Sequence, residues 1–168
     1  MTTPAGAQIE PCSDLRAFPK LLLLLACVQK KLEECPFDLC WLGVQPGDSA
    51  DLTPVGESGS MAWVRLAGVF PVRSEIGVDN RVRCTSRLNM SIEVGFATCY
   101  PINDDGSPLS VNEDLEIAES VSRAMMALWA AVVCCEWDEK NTREVGQWQP
   151  LGPMGGVVGG IWSVDVEV

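Results

Sequence analysis

Residue types that carry out nucleophilic catalysis are sparse in this chain. Its 168 residues include no histidine, so Ser-His and Cys-His pairs, in which an imidazole activates the nucleophile, cannot form. Lysine occurs only at Lys20, Lys30, Lys31 and Lys140, and none of these lies in a recognisable Ser-Lys motif. We therefore expect that the protein is not an enzyme and that it uses no cofactor.

Acidic pairs and cysteines are the remaining candidates for chemistry. Asp104-Asp105 and Glu113-Asp114 could hold a divalent cation, but adjacent acids at a turn or a helix start are typically solvated and favour the helix dipole. The eight cysteines include no C-x-x-C pair, and no histidine is present to complete a mixed zinc site. Their spacing forms no compact disulfide framework. We expect no metal site, and cysteines that are reduced and mostly buried.

A glycine-rich stretch, 152–160, resembles a phosphate-binding loop only in composition. No Lys-Ser or Lys-Thr follows it, and it leads into an alternating strand rather than a helix. A phosphate-binding loop requires the Lys-Ser or Lys-Thr pair, and a dinucleotide fingerprint requires a strand followed by a helix. The stretch instead predicts a tight turn at which another backbone comes close.

The charge of the chain is strongly acidic and unevenly distributed. The net charge is −11, which argues against nucleic-acid binding through a basic surface. Residues 1–100 carry 9 Lys+Arg against 11 Asp+Glu, and residues 101–168 carry 3 against 12. Such an acidic surface repels DNA phosphates, which suits a wall along which DNA must slide.

The pattern of elements predicts one α+β domain over 13–168, preceded by an extended arm over 1–12. Ser13 is expected to cap a first helix running to about residue 34, with Pro19 causing a kink or a fresh start. Ser110 and Glu113 form a capping box that opens a second helix reaching about residue 137. Strands are expected at 39–44, 61–70, within 81–100, at 143–151 and at 157–168. We expect a mostly antiparallel or mixed sheet of about five strands, with two long helices on one face.

Both predicted helices carry more apolar surface than one sheet face can cover. The apolar run 21–28 is too short to cross a bilayer and lacks a basic segment before it. We therefore expect a core helix there, and neither a signal sequence nor a membrane partner. Residues 124–135 are twelve consecutive apolar residues. The surplus surface predicts a homo-oligomer.

Two groups of residues are candidates for contacts with another subunit or partner. The first is a set of arginines in a strand–loop–strand section, where a head-to-tail ring could bring them near a neighbour's acidic edge: Arg73, Arg81, Arg83 and Arg87. A solvated edge protected by charge is an equally good interpretation. The second group brackets the closing turn: Trp148, Gly155, Gly156, Gly159, Gly160 and Trp162.

The layout of the chain resembles the tail terminator proteins of long-tailed bacteriophages. It comprises an N-terminal helix, a strand–long loop–strand section, a strong strand, a second helix ending in Cys135-Glu136-Trp137, and a closing hairpin. The closing pattern Trp-x-Pro-x-Gly-Pro-x-Gly-Gly-x-x-Gly-Gly-x-Trp, over 148–162, is also similar to short neck or tail proteins of actinobacterial phages.

The resemblance implies a structural virion protein that is assembled in the host cytoplasm. Its copies would form a ring, expected to be a hexamer, that caps the tail tube and contacts the tail tube protein below and a head-completion or neck protein above. Genomic DNA would pass through the lumen without sequence-specific contacts. Two alternatives remain: another ring or adaptor of the head–tail connector, and a cytosolic small-molecule-binding domain.

Overall fold

Two helices and six strands make up the part of the chain that the structure describes. The computed structural model describes residues 17–35, 37–55, 59–71, 88–103, 105–136 and 143–167. The helices are α1, Ala17–Glu33, and α2, Val111–Cys134, and a short 3-10 turn lies at Thr53–Val55. The strands are β1, Leu39–Gln45; β2, Ser60–Pro71; β3, Leu88–Cys99; β4, Arg143–Val145; β5, Gln149–Met154; and β6, Val157–Glu167.

One mixed sheet organises these strands. Its order is β1-β2-β3-β6, and the far edge of β6 pairs with β5 near its start and with β4 near its end. β1 runs parallel to β2, and the other pairings are antiparallel. The predicted α+β class with a mixed sheet and two helices is therefore confirmed at this level.

The fourth predicted strand, 143–151, is divided into β4 and β5, so the described residues form six strands rather than about five. The interruption has a local cause. The backbone N–H of Gly146 donates to the carbonyl oxygen of Ser163 at 2.9 Å, and Trp148 then crosses over Gly160 instead of continuing the ladder.

The main core lies between the sheet and both helices. Alternate residues of β3, namely Met90, Ile92, Val94 and Phe96, are fully buried there, as expected for a strand with period two. Leu24 and Val28 of α1 and Leu128 and Val132 of α2 belong to the same cluster. Both helices thus cover one face of the sheet.

A smaller core fills the opposite face of the sheet. It contains Val55, Met61, Trp63 and Ala97, with residues of the β1–β2 connection packed on it. Trp63 fits because Gly95 has no side chain: a Cβ there would lie 2.2 Å from the indole ring. This glycine is required by a close approach between two strands.

The first residues of both helices are of types that suit a helix start. α1 includes Pro19 in its first turn, where a missing N–H costs no hydrogen bond, so no break is needed. Ser13, its expected cap, and the arm 1–12 lie outside the described residues. The predicted capping box of α2 is confirmed: the Ser110 hydroxyl accepts from the Glu113 N–H, and the Glu113 carboxylate accepts from the Ser110 N–H.

Candidate functional site

The turn between β5 and β6 is formed by a glycine pair with left-handed backbone geometry. Gly155 has φ 61° and Gly156 has φ 78°, the geometry that two-residue hairpin turns demand. The carbonyl oxygen of Gly156 accepts a hydrogen bond from the N–H of Tyr100 at 2.7 Å. The tight turn predicted for this stretch is therefore confirmed.

The second glycine pair lies inside the sheet and is buried. A Cβ on Gly159 would lie 2.0 Å from the carbonyl oxygen of Phe96, and one on Gly160 would lie 2.3 Å from the Trp148 ring. The predicted close approach is confirmed, and its partners belong to the same chain. A contact of these glycines with another subunit stays a prediction.

The two tryptophans of the closing hairpin join a third one from α2. The Trp162 ring lies 5.6 Å from the Trp148 ring and 4.9 Å from the Trp129 ring, centroid to centroid. Both separations fall in the range of favourable tilted aromatic pairs. Trp148 and Trp162 are half-buried, while Trp129 is 36% exposed. The cluster therefore reaches from the sheet to the outer surface of α2.

The arginine group cannot be placed, because Arg73, Arg81, Arg83 and Arg87 lie outside the described residues. Arg65, the nearest arginine before them, is 5% exposed. Its guanidinium forms an ion pair with Glu93 and donates to the carbonyl oxygen of Gly47 at 3.0 Å. Arg65 therefore serves the fold and is not part of an interaction surface.

The first turn of α2 is the acidic surface expected from the sequence. Hydrogen bonds from Ser110 lower the pKa of Glu113. The Tyr100 hydroxyl donates to Asp114 at 2.8 Å, and this bond raises the pKa of Tyr100. Glu116 and Glu119 continue the exposed acidic surface along the helix. These carboxylates act as caps and as surface charge.

The C-terminal end of α2 is capped by a side chain that sequence reasoning missed. The Arg143 guanidinium donates to the carbonyl oxygens of Val132, Val133 and Cys135, at 3.2, 2.6 and 3.1 Å. The final carbonyls of a helix have no partner within the helix, and a cation there also favours the helix dipole. The signal was a basic residue shortly after an apolar helix.

A disulfide joins the two helices, which corrects the expectation that all cysteines are reduced. Cys27 of α1 is bonded to Cys135, with Cα atoms 5.7 Å apart. Spacing gave no hint, because the partners are 108 residues apart and meet only after both helices pack on the sheet. The expected burial is also wrong for Cys40 and for Cys134, the last residue of α2, because both side chains are exposed.

Two open cavities lie along the groove between the helices. One of about 370 Å³ contains the disulfide and is lined also by Lys30, Lys31 and Cys134. The other, of about 490 Å³, lies farther along α2, where Glu119 and Met126 line it opposite Lys31. Lys31 donates to Glu34 at 2.8 Å, and this bond raises its pKa. On the α1 side, the groove is lined by Lys30 and Lys31 and also by Glu34.

Neither cavity assembles a metal-binding group of described side chains. Across the described ranges, no group of three or more Cys, Asp or Glu side chains is placed to hold a metal ion. Among the helices in those ranges, α2 has the length and apolar character of a membrane span. Core helices meet the same criterion, and α2 packs on the sheet through Ala124, Leu128 and Val132. The side chains on its outer face are exposed.

Exposed apolar side chains mark three separate surfaces of the described chain. The α1 patch consists of Phe18, Leu22 and Leu23. The ladder-end patch lies where β2 ends and β3 begins and consists of Val69, Phe70 and Leu88. The α2 stripe consists of seven residues on the outer face of α2: Val111, Leu115, Ala118, Ser122, Met126, Trp129 and Val133.

Comparison with known proteins identifies no family for this chain. No protein-family model matches it, and no curated protein matches it.

Proposed function

We propose that this chain is a structural virion protein, a tail terminator whose copies form a ring that caps the tail tube and joins it to the head. The observation that carries the proposal is the presence of exposed apolar side chains on three separate surfaces. Single exposed apolar residues are normal in a monomer, but clustered ones mark contacts with partners. A ring subunit needs such contacts with two neighbours and with the components above and below it.

The ring would join unlike surfaces, as every cyclic assembly of more than two copies does. The ladder-end patch and the α1 patch lie on different elements and suit such a head-to-tail contact. In the sequence, the arginine group lies between Phe70 and Leu88 of the ladder-end patch: Arg73, Arg81, Arg83 and Arg87. The acidic start of α2 offers the opposite charge. Steering by opposite charges would favour the correct orientation of neighbouring subunits.

The acidic character of the chain supports a role beside DNA. A net charge of −11 repels the phosphate backbone, so DNA would pass through the lumen without binding to its wall. Another ring of the head–tail connector would share all these features. The resemblance of the closing pattern to phage neck and tail proteins favours this class over a small-molecule-binding domain.

Electron microscopy of the purified protein tests the proposal. We expect closed rings, with six copies as the leading expectation, and light scattering that gives the corresponding mass. Added to polymerising tail tube protein, the rings should halt tube growth at one end. A protein that stays monomeric at micromolar concentration, and leaves tube length unchanged, would contradict the proposal.

A further inference from the structure

The outer face of α2 carries an uninterrupted uncharged stripe. Its seven residues are spaced by four, three, four, four, three and four positions. At 3.6 residues per turn they lie within about 40° of one line along the helix, which is about 36 Å long. All seven side chains are exposed, and Val111, Leu115 and Met126 are exposed by 76, 61 and 58%.

Within the described ranges, the core of the fold is packed against other sides of α2. The sheet and α1 are contacted by the opposite side of α2, through Ala124, Leu128, Ala131 and Val132. Trp129 is held in place by its contact with Trp162, so its exposed edge is presented in a fixed orientation. An exposed apolar seam of this length is typical of a helix that pairs with another helix.

The stripe is complementary to an antiparallel copy of itself. Its middle member is Ser122, and small residues at a helix crossing let two helices come close. If a second α2 lies antiparallel with Ser122 opposite Ser122, then Ala118 faces Met126 and Leu115 faces Trp129. Small side chains then oppose large ones near the centre, and Val111 faces Val133 at the two ends. Facing positions of alternating size interdigitate well.

The charged residues beside the stripe favour the same antiparallel direction. Glu116 and Glu119 flank the stripe on the side of α2 that faces α1, in the N-terminal half of α2. Lys30 and Lys31 lie on that same side, beside Ala130 and Ala131 in the C-terminal half, and Lys31 also pairs with Glu34 of its own chain. An antiparallel second copy brings the glutamates of one chain to the lysines of the other. A parallel copy would place the glutamates of one chain and the lysines of the other on opposite flanks of the contact, where they could not pair.

From this self-complementarity we infer that the α2 stripe is a two-fold interface with a second copy of this chain, antiparallel and centred on Ser122. The contact is isologous, since the same surface serves both copies. It goes beyond the proposed ring, which joins unlike surfaces, and it uses none of the residues of the α1 or ladder-end patches. Both contacts can therefore exist in one assembly.

A single added charge at the axis tests the inference. Ser122→Glu places two carboxylates against each other at the centre of the pair, and we expect the dissociation constant of the dimer to rise at least tenfold in sedimentation equilibrium. Thr53→Glu is the matched control: it adds the same charge at an exposed position on the opposite face of the sheet, and it should leave association unchanged. Both variants should keep the circular dichroism of the wild type.

Charge exchange tests the direction of the pair. Glu116→Lys with Glu119→Lys should weaken the dimer, as should Lys30→Glu with Lys31→Glu, and combining the four changes should restore it. An unaffected Ser122→Glu dimer, or no restoration in the fourfold variant, would overturn the inference. So would a stripe that binds anionic phospholipid vesicles and leaves the chain monomeric.

The outcomes also separate this inference from the proposed function. Rings that persist unchanged with Ser122→Glu, with no two-fold contact between copies, would leave the ring standing and remove the α2 interface. A dimer that is sensitive to Ser122→Glu but never forms rings would do the reverse.

Discussion

The indole nitrogen of Trp162 donates a hydrogen bond to the backbone carbonyl oxygen of Met125 at 3.0 Å, so the closing strand is tied to the middle of α2. The same ring packs on Trp129 from the helix and on Trp148 from the chain before β5. The C-terminal hairpin is therefore part of the layer that positions the outer face of α2.

Replacing Trp162 by Phe should show what this hydrogen bond contributes. The aromatic contacts are largely kept while the N–H donor is lost, so we expect the free energy of unfolding to fall by about 1 kcal/mol. Trp162→Ala also removes the packing and should cost about 3–5 kcal/mol. Urea unfolding followed by circular dichroism measures both. Equal losses for the two variants would show that the hydrogen bond, and not the packing, dominates.

Gly159 and Gly68 form a matched pair of strand glycines. A Cβ on Gly159 would meet the carbonyl oxygen of Phe96 at 2.0 Å, whereas a Cβ on Gly68 meets nothing within 4 Å. Gly159→Ala should therefore separate β6 from β3 and leave the protein insoluble or unfolded. Gly68→Ala should be neutral or slightly stabilising, because alanine restricts the unfolded chain. Soluble yield and the urea midpoint give the readout, and a stable Gly159→Ala protein would disprove this packing.

Features encoded by neighbouring residues were predictable from the sequence. The Ser110–Glu113 capping box needs only a spacing of three, and the alternation of β3 from Met90 to Phe96 needs only a period of two. The turn at Gly155 and Gly156 likewise follows from the need for positive φ. Each of these signals involves residues that are close in the sequence, so each can be recognised without knowledge of the tertiary structure.

Features that depend on how elements meet were not predictable. Cys27 and Cys135 become neighbours only when α1 and α2 lie antiparallel in one register on the sheet. The break between β4 and β5 depends on the packing of the Trp148 ring against Gly160, which has no side chain. The surplus apolar surface of α2 was foreseen, but its arrangement as one outer stripe required knowing which side of the helix the sheet and α1 cover.

The disulfide predicts a large difference in the free energy of unfolding between the oxidised and the reduced protein. Crosslinking residues about 100 positions apart restricts the unfolded chain and contributes roughly 4 kcal/mol in the chain-entropy view. Cys135→Ser should lower the free energy of unfolding by about that amount, while Cys134→Ser should leave it nearly unchanged. Urea unfolding with and without dithiothreitol measures this. If thiol counting in denaturant finds all eight cysteines reactive, the crosslink is absent.

The capping box should make the stability of α2 depend on pH. Hydrogen bonds from Ser110 lower the pKa of Glu113 from its ordinary value of 4.5. A depressed pKa means that the contribution is complete above about pH 4.5 and is lost as the pH falls through the lower, folded-state value. Glu113→Gln should flatten this part of the stability profile between pH 6 and 3, as should Ser110→Ala. An unchanged acid limb in both variants would contradict the assignment.

The arginine group remains the sharpest test of how the proposed ring assembles. Arg81→Glu combined with Arg83→Glu reverses two charges, and we expect ring formation to weaken because attraction to a neighbour's acidic surface becomes repulsion. The loss should be greatest at low salt, where screening is weakest. Arg81→Lys with Arg83→Lys keeps the charge and should assemble nearly as well as the wild type. Light scattering across a salt series measures the effect, and indifference to charge reversal would identify these arginines as a solvated edge.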